Sequence, residues 1–118
     1  MDGRVEELKL KLDRLMREAA EVSVTLDWAE GTIAGVPHYT LIEAQAHELG
    51  RQLSCAIQER QVAEVVARQA SHAKCPGCGT RCELVAGKRP VQSIDGPTRH
   101  QELEGYCPHC RRAFFPAA

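Results

Sequence analysis

Four of the six cysteines in this 118-residue chain fall into two hooks near its C-terminal end. The first hook is Cys75-Pro76-Gly77-Cys78-Gly79. The second is Tyr106-Cys107-Pro108-His109-Cys110, with 28 residues between Cys78 and Cys107. Two residues between cysteines let the backbone turn so that both sulfurs face one point, and Gly79 can take the positive φ that such a turn often needs. Two hooks together offer four thiolates to one tetrahedral Zn²⁺, the ligand pattern of a zinc ribbon. The expected ligands are Cys75, Cys78, Cys107 and Cys110. A closed shell of this kind is structural, because it leaves no position for water or substrate.

Other uses of the same residues stay open at this point. A rubredoxin-like iron site uses similar hooks, but it comes with a cluster of core aromatics. The aromatics here are only Trp28, Tyr39, Tyr106, Phe114 and Phe115. A dithiol redox pair needs a single hook, and two hooks in a hairpin frame favour metal. Cys82 or His109 could replace one of the four ligands. His109 lies inside the second hook, where its side chain should point outward, and Cys82 reads as a spare thiol packed by the site. Cys55, beside Ala56 and Ile57, reads as a small buried apolar residue.

The hooks need a frame. Glu83-Leu84-Val85 can start a strand, Gly87 relaxes it, and Arg89 to Ile94 forms a second extended run. Asp95-Gly96 is a hairpin-turn signal, after which Thr98 to Tyr106 returns to the second hook. Pro90 places its strand start there or at a sheet edge. The expectation is a small antiparallel sheet with the metal at one end, over residues 74–118. A module of this size with so little apolar bulk needs a metal staple.

Residues 1–73 read as helical. From 4 to about 29, Val5, Leu8, Leu12, Leu15, Ala19, Val22 and Leu26 alternate spacings of three and four, the a/d seam of a heptad. Such a seam can pair two chains or pack on the second helix of its own chain. Residues 31–39, with Gly31, Gly35 and Pro37, break the helix. Thr40 and Glu43 then form a capping box, and a second helix is expected from 41 to about 72. Its stripe is Ile42, Ala46, Leu49, Leu53, Ala56, Ala63, Ala67 and Ala70. The fold class is therefore α+β: a long helical hairpin or coiled coil followed by a small antiparallel zinc ribbon.

Several functions find no support in the sequence. No run of 18 apolar residues offers a membrane-spanning helix. The charged start, Met1 to Glu7, has no signal-peptide core, so a cytoplasmic location is expected. In that reducing setting the cysteines are ligands and spare thiols rather than disulfides. His47-Glu48 does not open a zinc-protease motif, since position 51 is Arg51, and nucleophile-elbow, phosphate-loop and dinucleotide signatures are missing. The chain reads as a non-enzyme. Its net charge of −1 divides into −4 over residues 1–73 and +3 over 74–118. The basic set Lys74, Arg81, Lys88, Arg89, Arg99, His100, Arg111 and Arg112 is the candidate phosphate-contacting surface; ordinary solvation of a small module is the plainer reading.

The stretch from Cys75-Pro76-Gly77-Cys78-Gly79, through Val91-x-Ser93-Ile94-Asp95-Gly96-Pro97, to Tyr106-Cys107-Pro108-His109-Cys110-Arg111-Arg112-Ala113-Phe114-Phe115-Pro116 resembles the N-terminal zinc ribbon of bacterial insertion-sequence transposases of the ISKra type. The similarity extends to His47-Glu48-Leu49-Gly50-Arg51 and spans roughly residues 40–116. The family's RNase-H-like catalytic region, with its three acidic metal-binding residues, does not follow in this chain. The resemblance implies DNA binding at element ends and assembly of a transposase complex. The partners it implies are double-stranded DNA, a second copy through the helices, and a full-length transposase. The competing expectation is a protein-interaction adaptor with a structural zinc site.

Overall fold

A computed structural model describes residues 2–116 of the chain. Two helices, α1 (Asp2–Glu30) and α2 (Tyr39–Ala67), precede four strands. The strands are β1 (His72–Lys74), β2 (Arg81–Ser93), β3 (Gly96–Cys107) and β4 (Arg112–Phe114). Each strand pairs antiparallel with the next, in the order β1-β2-β3-β4. The expected α+β class and the small antiparallel sheet are both present. The chain divides into two compact units, Met1–Ala46 and His47–Ala118.

In the first unit, α1 carries the seam as one unbroken helix. Its side chains stay in solvent: Leu8 is 53% exposed and Leu15 48%. At its end the Ile33 amide donates to the Asp27 carbonyl at 3.1 Å, and the Gly31 amide to that of Trp28 at 3.3 Å. These bonds satisfy carbonyls that a helix end would leave bare. Ile33 is the one buried apolar residue of the connection. α2 opens differently from the expected capping box. Thr40 is already helical, and His38 precedes the helix as its cap. The His38 carbonyl accepts from the Leu41 amide at 3.0 Å, and His38 Nδ1 accepts from the Thr40 amide at 3.2 Å. An imidazole nitrogen thus does the work assigned to the threonine hydroxyl.

In the second unit, α2 ends at Ala67 rather than near 72. The reason is pairing: His72, Ala73 and Lys74 lie opposite Glu83, Cys82 and Arg81, and the Leu84 amide donates to the Ser71 carbonyl at 2.8 Å. Tertiary hydrogen bonds outweigh the helix propensity of Ala70 and its neighbours. β2 runs straight through Gly87 and Pro90 as one strand. Pro90 lies beyond the stretch that pairs with β1, so its missing N–H faces an open edge. The hairpin loop is Ile94-Asp95, one residue earlier than expected, and the positive φ (114°) falls on Gly96 as the first residue of β3. That is the pattern of a turn closed by a glycine bulge.

One side of α2 holds the tip of this hairpin. Arg51 Nη1 donates to the Asp95 carbonyl at 2.9 Å, and Gln58 Nε2 to Ser93 Oγ at 3.3 Å. Ser54 Oγ donates to the Asp95 carboxylate at 2.5 Å. Glu59 Oε2 accepts from the Arg99 amide at 2.8 Å. Cys55 belongs to the same side, its thiol 3.4 Å from the Asp95 carbonyl and only half-buried, so it is a clamp residue and not a core filler. Val62 and Val66 are half-buried further along. The apolar stripe expected to pack, including Leu49 and Leu53, lies on the opposite side of the helix and is exposed.

Candidate metal centre

The two hooks are the tight turns at one end of the sheet. Cys75 follows β1, and the chain reverses through Pro76-Gly77-Cys78 before entering β2. Cys107 ends β3, and Pro108-His109-Cys110 returns the chain to β4. The hooks share one construction. The amide of the fourth residue on donates to the first cysteine's carbonyl: Gly79 to Cys75 at 2.9 Å, Arg111 to Cys107 at 2.7 Å. Both donors have positive φ, 75° for Gly79 and 56° for Arg111. Glycine takes that conformation freely, whereas arginine bears a cost of roughly 1–2 kcal/mol. Amides also point at the sulfurs: Gly77 to Cys75 Sγ at 3.3 Å and Cys110 to Cys107 Sγ at 3.4 Å. Such donors favour the thiolate form.

The four sulfurs of Cys75, Cys78, Cys107 and Cys110 all lie within 4.8 Å of one another. The short separations cross between hooks: Cys75 to Cys110 is 3.8 Å and Cys78 to Cys107 is 3.5 Å. A metal about 2.3 Å from each of four sulfurs sets neighbouring sulfurs about 3.8 Å apart. A disulfide would need about 2.05 Å, and all six cysteines are free. Sulfurs at tetrahedral-edge spacing, shared between hooks, describe one centre able to hold a metal ion rather than two dithiols.

The electrostatics agree. The Thr80 hydroxyl, 3.0 Å from Cys78 Sγ, holds that thiol down to about 6. Cys75 is lowered by the Cys78 and Gly77 amides. Cys110, hydrogen-bonded to the Cys78 and Cys75 sulfurs, is pushed up to about 12. Four thiols in this space cannot all ionise alone; a metal cation at their centre would take the place of the remaining protons.

Cys82 sits outside the ligand set, as expected of a spare thiol. It is buried with Cys75 and Cys107, and its thiol donates to the Thr80 carbonyl at 3.4 Å. His109 is exposed and takes no part in the sulfur cluster. Phe114 packs against the cluster and lies across Gly105. A Cβ on Gly105 would stand 2.5 Å from the Phe114 ring. The glycine therefore gives the ring its seat over the metal end. Neither Thr80 nor the Gly105–Phe114 pair stands out by residue type; only the pairing of Gly105 with Phe114 across β3 and β4 reveals the seat.

The basic residues do not gather in one place. The pairings of Leu84 with Gly105, Cys82 with Ala73 and Cys107 with Arg112 fix which side chains share each sheet face. Side chains alternate between faces along a strand. Lys74, Arg81, Arg89 and His100 share one face with Glu83, Glu102 and Glu104. Arg89 is paired there with Glu102 at 2.8 Å. Lys88, Arg99 and Arg112 occupy the other face, on which no described strand residue is a carboxylate; the Glu59 carboxylate of α2 lies 2.8 Å from the Arg99 backbone amide. All three cations are exposed, while on the first face Val91 and Ser93 are half-buried, Thr98 is buried, and Gln58 of α2 reaches Ser93. Arg111 sits in the second hook, between the faces. Overall charge reveals neither this division nor the side that α2 covers.

Comparison with protein-family models, curated proteins and solved structures finds no match to this chain. No helix among the described residues is long and apolar enough to cross a membrane.

Proposed function

We propose that the chain is a DNA-binding and oligomerisation module built on one structural Zn²⁺, without catalytic activity of its own and related to the front part of an ISKra-type transposase. Tetrahedral four-sulfur geometry suits zinc or iron. Zinc is the better fit here, because a single aromatic ring, Phe114, packs against the cysteines. Zn²⁺ held by Cys75, Cys78, Cys107 and Cys110 would join the two hooks at one end of the sheet and supply much of its folding free energy. With four protein ligands it has no open position for catalysis.

The observation that carries the DNA reading is the sheet face with exposed Lys88, Arg99 and Arg112 and no carboxylate among its described strand residues. A phosphate backbone rewards cations that no neighbouring carboxylate neutralises. The exposed seam of α1 supports pairing with a second copy, and the motif resemblance supports a full-length transposase as a further partner in a bacterial cytoplasm. The test is a salt titration of duplex binding by zinc-loaded protein. Affinity that falls steeply with salt supports the reading. No binding even at low salt sinks it and makes the protein-interaction adaptor the leading reading.

A further inference from the structure

Two independent features of α1 point to how a second copy would sit on it. The first is charge. Beside the seam, positions 4, 9 and 11 are Arg4, Lys9 and Lys11, whereas 18 and 30 are Glu18 and Glu30. Every cation of α1 lies at or before Arg17, in company with Asp2, Glu6, Glu7 and Asp13, whereas Glu18, Glu21, Asp27 and Glu30 follow with no cation among them. The second feature is size. The seam residues are large at Leu8, Leu12 and Leu15 and small at Ala19 and Ala29. All of them are exposed in the single chain.

We infer that α1 pairs with α1 of a second copy of this chain in antiparallel orientation. This rests on the oligomerisation proposed above and specifies its geometry. A parallel pair would set Arg4 beside the second copy's Lys9 on both flanks, and Ala19 against Ala19 in the seam. The antiparallel register that covers the whole seam sets Val5 against Ala29, Leu8 against Leu26, Leu12 against Val22 and Leu15 against Ala19. Large residues then meet small ones at two layers, as close packing requires. The basic flank positions Arg4, Lys9 and Lys11 of each helix lie along the acidic C-terminal half of the other. One like-charge contact remains, Glu18 against Glu18 near the two-fold axis.

The test uses the full zinc-loaded chain. Its mass in solution is measured across protein and salt concentrations. The dimer is then joined with a carbodiimide, which links an amine to a carboxylate with no spacer. Links of Lys9 to Asp27 and Lys11 to Glu21 are expected. Within one helix these pairs stand about 27 and 15 Å apart along the axis, beyond zero-length reach. Raising salt from about 0.05 to 0.5 M should weaken the dimer severalfold, since opposite charges face each other; a parallel dimer would tighten. Glu18→Gln should tighten the antiparallel dimer and leave a parallel one unchanged. A dimer lacking both cross-links, or one that tightens with salt, overturns the antiparallel arrangement alone. A monomer at every concentration overturns the oligomerisation reading itself.

Discussion

Alanine at Lys88 and Arg99 should damage DNA binding far more than alanine at Lys74 and Arg81, although both pairs are exposed cations of the same sheet. The difference follows from the faces: no strand carboxylate shares a face with the first pair, Glu59 of α2 being bound to the Arg99 backbone amide, whereas the second pair shares its face with Glu83 and Glu104. Counterion release sets the size. Three phosphate contacts, from Lys88, Arg99 and Arg112, give log K a slope of about −2.7 against log salt, so fourfold more salt weakens binding about 40-fold. Each lost contact should cost about eightfold at about 0.1 M salt and flatten the slope by about 0.9. The Lys88→Ala/Arg99→Ala protein should therefore bind roughly 60-fold more weakly with a slope near −0.9. Lys74→Ala/Arg81→Ala should stay within about twofold of the parent. Fluorescence anisotropy with a labelled duplex over a salt series reads all three proteins, with zinc content and circular dichroism confirming an intact fold. Equal losses from the two double variants, or unchanged slopes, would refute the assignment of the DNA surface to one face.

The remaining expectations concern the frame. Chelation should abolish the sheet's circular dichroism while much of the helical signal persists, since buried apolar residues of the sheet cluster at the sulfurs; a sheet that survives zinc removal would contradict the staple. Gly105→Ala should cost about 1–3 kcal/mol by displacing Phe114, read as a lower melting temperature of the zinc form; an unchanged melting point would mean the ring has another seat. Gly79→Ala should cost about 1 kcal/mol at its positive φ, while Arg111→Gly should be neutral or stabilising, both measured by thermal melts. Glu48, held by two hydrogen bonds from Arg51, should titrate near 2 rather than at its ordinary 4.5. Its folded value is depressed, so its contribution is full above about 4.5 and fades as pH falls through about 2. A carboxyl-carbon shift with a midpoint near 4.5 would show that Arg51 does not hold it.

What could be read from the residues alone was local. The hooks announce themselves because a two-residue gap fixes both sulfurs through the chain itself, and the heptad seam of α1 does so because its period is written in adjacent turns. The turn at Asp95-Gly96 was legible to within one residue. Three features were not, and each depends on partners distant in sequence. Helix propensity ran through Ala70, but β2 claimed residues 72–74 for pairing. The alanine-rich stripe of α2 looked like its packing side, yet Arg51, Ser54 and Gln58 make the contact because Asp95 and Ser93 offer them hydrogen bonds. The basic residues were read as a single candidate surface without regard to face; strand register sends Lys88, Arg99 and Arg112 to one face and Lys74, Arg81 and Arg89 to the other, with Arg111 in the hook between them.

Register also ties the metal to the proposed DNA surface. Between Ala86 and Val91 the sheet is two strands wide, and a lone two-stranded ribbon is marginal in water. Its ends are held by different devices: the four sulfurs at one, the α2 clamp on Asp95 and Ser93 at the other. Lys88 and Arg99 share a face only while Pro90 stays opposite Arg99; a slip of one residue would move a whole strand's side chains to the wrong side. Loosening either end should therefore weaken DNA binding without touching a cation. Asp95→Ala removes the carboxylate that Ser54 holds and leaves the sulfurs in place, so it separates the two devices. If register matters, this variant keeps its zinc but loses part of the salt-dependent affinity. If it keeps both in full, the sulfur end alone sets the register of the hairpin.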